Sequence, residues 1–163
     1  MANVAVGLCV LLVASSLGGA PGIGTVANAV LVGTFIQVLT AIDALTALAH
    51  EPLAVRIVLL LAGIGIIGLG SAFYIAADFG AGPRDTLMLV GARRTGRRIG
   101  LVRGTLELCA LVAGVILGGT FGVGTIVFAL GIGPVIEASF WLLEQTPLAV
   151  AAPDVVPVVV EGT

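Results

Sequence analysis

The segment from Leu8 to Phe35, LCVLLVASSLGGAPGIGTVANAVLVGTF, recurs one hundred residues later from Leu108 as LCALVAGVILGGTFGVGTIVFALGIGPV, with no gap. Cys9 matches Cys109, Gly18-Gly19 matches Gly118-Gly119, and Gly22-x-Gly24-Thr25 matches Gly122-x-Gly124-Thr125. Ala29 and Gly33 match Ala129 and Gly133. Most other pairs exchange one apolar or small residue for another. Each copy reads as two apolar runs joined by a glycine-rich elbow. Two such hairpins point to a helical membrane protein built by internal duplication.

Composition supports a bilayer setting. The chain is 59% hydrophobic and 10% charged, with a mean hydropathy of +1.23, whereas a soluble domain is about one quarter charged. All seven basic residues are arginines, and five of them lie between Arg93 and Arg103. Beside apolar spans, that cluster reads as a cytoplasmic topology signal rather than a nucleic-acid patch. Cys9 and Cys109 sit in apolar stretches at matching positions. They are expected to be free, buried thiols, although the symmetry makes a disulfide conceivable. With one histidine and no metal-ligand spacing, no metal or cofactor is expected.

Five hydrophobic elements follow, at 4–17, 26–44, 53–77, 101–117 and 125–143. The fold class expected is all-α: a polytopic helical membrane protein with about five transmembrane elements. Residues 1–144 form its one membrane domain, with a first repeat at 4–44 and a second at 53–144. Residues 145–163, carrying three prolines, two acids and no basic residue, are expected to form a flexible tail.

If the 93–103 loop is cytoplasmic, the third span descends to it, the fourth leaves and the fifth returns. The C-terminus is then cytoplasmic as well. Counting backward, the first element starts outside while its mate, the fourth, starts inside. Residues 4–44 and 104–144 are therefore expected to be an inverted repeat, as a three-span unit requires. The first copy has no counterpart of the third span or of the loop after it. Met1-Ala2-Asn3 leads straight into apolar sequence with no positive n-region. The expectation is a first repeat lacking its N-terminal part.

The run Asp78-Phe-Gly-Ala-Gly-Pro-Arg-Asp85, then Ala92-Arg-Arg-Thr-Gly96, Glu107 and Gly118-Gly-x-x-Gly-x-Gly-Thr125, resembles the YczE/YyaS/YitT family of bacterial integral membrane proteins over about residues 4–143. The resemblance implies a duplicated membrane protein with an earlier copy of the Asp-x-Gly-x-Gly-Pro-x-Asp loop, which this sequence lacks. That family carries no settled activity, so the resemblance implies kinship and no reaction.

Ionisable residues within spans are costly and usually face the protein interior. Glu107 shares a helical face with Ala110, Gly114 and Gly118, and Glu137 follows Gly133 and Ala129 at four-residue steps, so both acids lie on small-residue packing seams. Two readings stand for each. Glu107 either pairs with Arg103 four residues away or meets a substrate or proton. Glu137 either reaches interfacial water or joins Glu107 at one pocket with Arg84 or Arg103. Gly80, Gly82 and Pro83 end the third helix and open a short one, reaching about Arg93, with Asp85 in its first turn. Asp78, Arg84 and Asp85 then either line a polar cavity or cap and anchor that helix. The elbows, Gly22, Gly24 and Thr25 with Gly122, Gly124 and Thr125, are read as tight turns, the competing reading being broken helices that bind an ion.

Gly63-Ile-Gly-Ile-Ile-Gly68 matches G-x-G-x-x-G inside an apolar run, with no strand before it, and is read as a packing face. Ser71 has no histidine near enough to act as its base, so the chain is not expected to be an enzyme. The function expected is binding or passage of a small solute or ion between inverted repeats. The alternative is a membrane scaffold or regulator acting through helix–helix contacts. The partners expected are the lipid bilayer, a solute or ion, and a second copy or a membrane partner, with no nucleic acid.

Overall fold

The computed structural model describes residues 2–19, 22–77 and 80–146. Among them every regular element is helical: α1 (Ala2–Ser16), α2 (Ile23–Thr40), α3 (Asp43–Ala47) with a short 3-10 turn at Leu48–His50, α4 (Leu53–Ala76), α5 (Pro83–Thr95), α6 (Ile99–Ile116) and α7 (Val123–Glu144). The five apolar elements read from the sequence correspond to α1, α2, α4, α6 and α7. The short helix after Pro83 is α5, two residues longer than expected. The α3 segment was not foreseen, because 26–44 reads as one apolar run; α2 instead closes at Ala41. Residues 147–163 of the expected tail lie outside the described residues.

Four helices, α2, α4, α6 and α7, are long and apolar enough to cross a membrane. The 24 residues of α4 give about 36 Å of rise, more than the roughly 30 Å hydrocarbon core. Large apolar side chains face outward all along them: Ile66 is 71% exposed and Val58 64%. On a water-soluble monomer such a surface would be an aggregation liability. On a bilayer protein it is the lipid-facing wall, and the helices satisfy their own backbone groups.

The core lies where α4, α6 and α7 meet, closed at one end by α5. Ile64, Ile75, Met88, Ile99, Ile132 and Phe140 are among its buried members. Small residues set the spacing. A Cβ on Gly68 would lie 2.6 Å from Val135 Cγ1 and 3.2 Å from Ser139 Oγ, so α4 and α7 touch there. A Cβ on Gly133 would strike the carbonyl oxygen of Gly100 and approach the Gly104 nitrogen at 3.2 Å, so α6 and α7 meet backbone to backbone. The packing face expected at Gly63, Gly65 and Gly68 reduces to Gly68, since Gly63 and Gly65 have no neighbour within 4 Å. Cys9 and Cys109 are free, as expected, but exposed rather than buried. They project from α1 and α6 on outward faces, where a small apolar thiol suits lipid.

The described residues of the two elbows make the same hydrogen bonds. Gly18, at φ +92°, donates its N–H to Ser15 O (3.0 Å), and Gly19 donates to Ala14 O (2.9 Å). Gly118, at φ +84°, donates to Val115 O (3.0 Å), and Gly119 to Gly114 O (2.8 Å). This is a Schellman ending, in which a left-handed glycine lets the last helical carbonyls find donors. The following helix opens alike in each. The Gly22 N–H donates to Thr25 Oγ1 (3.1 Å) and the Gly122 N–H to Thr125 Oγ1 (3.4 Å).

Candidate functional site

α5 carries a full set of start and stop signals. Gly82 caps it, Pro83 begins it, Asp85 lies in the first turn, Arg93 and Arg94 lie in the last, and Gly96 closes it in the left-handed conformation. Its 13 residues are too few to span a bilayer. It rests instead on α1 and α6, which brings Arg84 and Asp85 beside Arg103 and Glu107.

These four form a chain of alternating charge. The Arg103 guanidinium donates through Nη1 to Asp85 Oδ1. Its Nη2 lies 3.0 Å from Glu107 Oε1, one turn along α6. Arg84 Nη1 reaches the same Glu107 oxygen at 3.7 Å. The side chains of Arg103, Glu107 and Asp85 are about one-tenth exposed or less, whereas that of Arg84 is 60% exposed. Arg103 Nε is buried with no hydrogen-bond partner among the described residues. Burial, the largest effect, raises the Asp85 carboxyl above its ordinary value; Arg103 pulls it down by charge and hydrogen bond, and Glu107 pushes it up again.

Glu107 and Glu137 do not share a pocket. Glu137 pairs with Arg98 at 3.9 Å and borders a cleft of about 790 Å³ with Thr105, Pro134 and Trp141. Glu107 borders a second cleft, of about 250 Å³. A Cβ on Gly100 would touch the Glu137 carboxylate, and Gly100 lies two turns before Glu107 on α6, about 10 Å of rise. The reading that joins the two acids at one pocket does not hold, because the close approach of Gly100 and Gly133 sets the α6–α7 register. Glu137 instead meets Arg98, while Glu107 meets Arg103 and Arg84. Pro134, inside α7, withholds an N–H from the Leu130 carbonyl beside the larger cleft.

Arg103 was counted with a loop in the sequence, but it lies inside α6 and is 5% exposed. The exposed basic group at the α5–α6 link is therefore Arg93, Arg94, Arg97 and Arg98. Asp78 lies outside the described residues.

The two elbows differ in what covers them. At the first, Thr25 is fully buried and its hydroxyl donates to Ala81 O at 2.6 Å. Thr86 donates to the same carbonyl at 2.9 Å. Gly80, at φ +103°, sits so close that a Cβ would lie 2.7 Å from Gly22 Cα, and one on Gly82 would lie 2.7 Å from Asn28 Oδ1. Gly24 is half-buried in the first turn of α2. At the second elbow Gly122, Gly124 and Thr125 are exposed. Asn28, Thr86 and Arg98 are contact residues that sequence reasoning missed. Thr86 sits in the first turn after Pro83, where a hydroxyl readily bonds backbone; the other two needed the tertiary structure.

Residues 39–139 match the model of a family of unknown function, DUF6198. The chain is 35% identical over 126 residues to an uncharacterized protein of Haemophilus influenzae, covering 77% of this chain and 56% of that one. It is 36% identical over 123 residues to the uncharacterized membrane protein YczE of Bacillus subtilis, covering 73% of this chain and 54% of that one. The chain thus spans about half the length of the curated relatives it matches. No solved structure matches it.

Proposed function

The chain belongs to the DUF6198 family of YczE-like membrane proteins, and from that premise we propose that it binds or passes a small solute or ion, in the first place a cation or proton, at the charge chain between α5 and α6. The observation that carries this reading is the burial of Asp85, Arg103 and Glu107 together at a helix junction. Ionisable groups at the centre of a transmembrane helix cost about 2.5–3.5 kcal/mol each on insertion scales, and where they persist they mark pathways or binding sites. Glu107 is the exchange point. Arg84 is its loosest partner, at 3.7 Å and largely exposed. A cation or proton arriving from the smaller cleft competes with Arg84 for the carboxylate, while Arg103 stays clamped by Asp85.

The hairpins α1–α2 and α6–α7 are the two halves of an inverted repeat, with the site between them. The protein lies in the cell membrane as a multi-pass chain, with the Arg93–Arg98 link and the C-terminus on the cytoplasmic side. Flux into proteoliposomes, read with a pH-sensitive dye and a K⁺-sensitive dye, tests the reading. Glu107→Gln should abolish flux while elution profile and helicity stay unchanged. Equal flux in the variant defeats the assignment.

One observation favours a second reading, a scaffold or regulator acting through helix contacts. Only 6% of the α2 span is buried within the chain, and Gly33 on it has no neighbour within 4 Å. A stripe of this kind suits a second copy or another membrane helix. A scaffold tolerates Glu107→Gln and loses its partner when Gly33 is enlarged.

A further inference from the structure

The larger cleft, between α6 and α7, is charged at one end and apolar along the rest. At the charged end Arg98 Nη1 lies 3.9 Å from Glu137 Oε1, with both side chains partly exposed. Trp141, one turn further along α7, stands exposed beside them. This end adjoins the Arg93–Arg98 link between α5 and α6. From there the cleft runs between exposed leucines, Leu101 and Leu108 on α6 and Leu130 on α7. Gly104 lies on its floor, and a Cβ there would meet nothing within 4 Å. From Arg98 to Leu108 is about 15 Å of rise along α6, the depth of one leaflet of a roughly 30 Å hydrocarbon core. Both helices are long and apolar enough to cross a membrane, so the cleft opens on acyl chains.

We infer that this cleft seats one phospholipid with a primary ammonium headgroup, a phosphatidylethanolamine, from the leaflet on the side of the Arg93–Arg98 link. Charge complementarity selects that headgroup. Its phosphate meets the Arg98 guanidinium, whose planar fork suits two phosphate oxygens. Its ammonium meets the Glu137 carboxylate, with the Trp141 indole beside it. The Arg98–Glu137 pair is longer than a hydrogen bond, and a headgroup bridging it gives each charge a contact of hydrogen-bond length. A choline headgroup has no N–H for Glu137, and a glycerol headgroup brings it no positive charge. One acyl chain lies over Gly104, between the leucines. The inference does not rest on exchange at Glu107, which lines the other cleft.

Trp141 is the only tryptophan of the chain, so its fluorescence reads the cleft directly. The full chain is reconstituted in phosphatidylcholine vesicles carrying a minor fraction of lipid with brominated acyl chains, which quench indole on contact. Brominated phosphatidylethanolamine should quench Trp141 with an apparent affinity about fivefold above that of brominated phosphatidylcholine or phosphatidylglycerol, the scale of one exposed charge pair. Glu137→Gln should erase the preference over phosphatidylcholine. Gly104→Leu fills the floor of the cleft and leaves the charged pair in place. It should weaken quenching by phosphatidylethanolamine to the level of bulk lipid, at unchanged melting. Equal quenching of the parent by the three lipids overturns the inference, as does a preference that survives either variant. Stronger quenching by phosphatidylglycerol would assign the cleft to an anionic lipid held by Arg98 and overturn it as well.

Discussion

The Asp85 carboxylate on α5 accepts a hydrogen bond from the Arg103 guanidinium on α6, across 18 residues of sequence, with both side chains buried. Arg103 holds Glu107 with its other Nη. One arginine thus fixes a short helix, a long helix and an acid at once.

Breaking that buried group should be costly and removing it whole should not. Arg103→Met leaves the buried Asp85 and Glu107 carboxylates without their shared guanidinium, a loss on the order of 3–5 kcal/mol. Asp85→Asn leaves Arg103 still paired with Glu107 and should cost less. Both single variants should melt earlier in detergent than the parent. The triple variant Asp85→Leu, Arg103→Met and Glu107→Leu should recover most of the Arg103→Met loss. A triple variant no more stable than Arg103→Met would count against the shared pairing.

The glycines of α2 and α7 should respond oppositely to enlargement. Gly133→Leu drives a side chain into the α6 backbone at Gly100 and Gly104, and should abolish a monodisperse elution peak. Gly33→Leu, its mate in the sequence repeat, places a Cβ with nothing within 4 Å and should leave melting within about 0.5 kcal/mol of the parent, as for substitutions away from packed contacts. A change in oligomeric size with Gly33→Leu, at unchanged melting, would support the scaffold reading.

Gly80→Ala and Gly118→Ala separate backbone strain from lost packing. Each glycine has a positive φ, so each alanine should cost on the order of 1–2 kcal/mol for the left-handed conformation. Only at Gly80 does the methyl also strike a neighbour, the Gly22 backbone. Gly80→Ala should therefore destabilise clearly more than Gly118→Ala, and should expose Thr25→Cys to maleimide. Equal shifts would argue against a tight seat at the first elbow.

Orientation is checked at Thr95, which is exposed at the end of α5. In a chain otherwise free of cysteine, Thr95→Cys should label only after the cells are permeabilised. Labelling of intact cells from outside would reverse the orientation.

Much of the fold was legible in the sequence, because a bilayer leaves few ways to satisfy a backbone. Apolar run lengths located α1, α2, α4, α6 and α7. Gly82, Pro83 and Gly96 marked the ends of α5, since proline and left-handed glycine act locally. Helix spacing offered the Arg103–Glu107 pair as one of two readings for Glu107. The site as a whole was not legible. Asp85 meets Arg103 because α5 folds back across α6, and no periodicity encodes that crossing. Glu107 and Glu137 looked equivalent because each lies on a small-residue seam. Their separation depends on the register set where Gly100 meets Gly133. The burial of Thr25 and exposure of Thr125 were equally hidden, since identical turns carry no record of what lies against them.

The position of α5 has a mechanical meaning. It rests on α1 on one side and on α6 on the other, with the Thr25–Ala81 hydrogen bond just before its start and the Asp85–Arg103 pair in its first turn. It works as a connecting rod between the two hairpins. A tilt of the first hairpin pulls on Ala81, four residues from the carboxylate that steadies Arg103. Under the proposed reading, the grip on Glu107 would vary with the angle between the hairpins, since the helix that steadies Arg103 is tied to both.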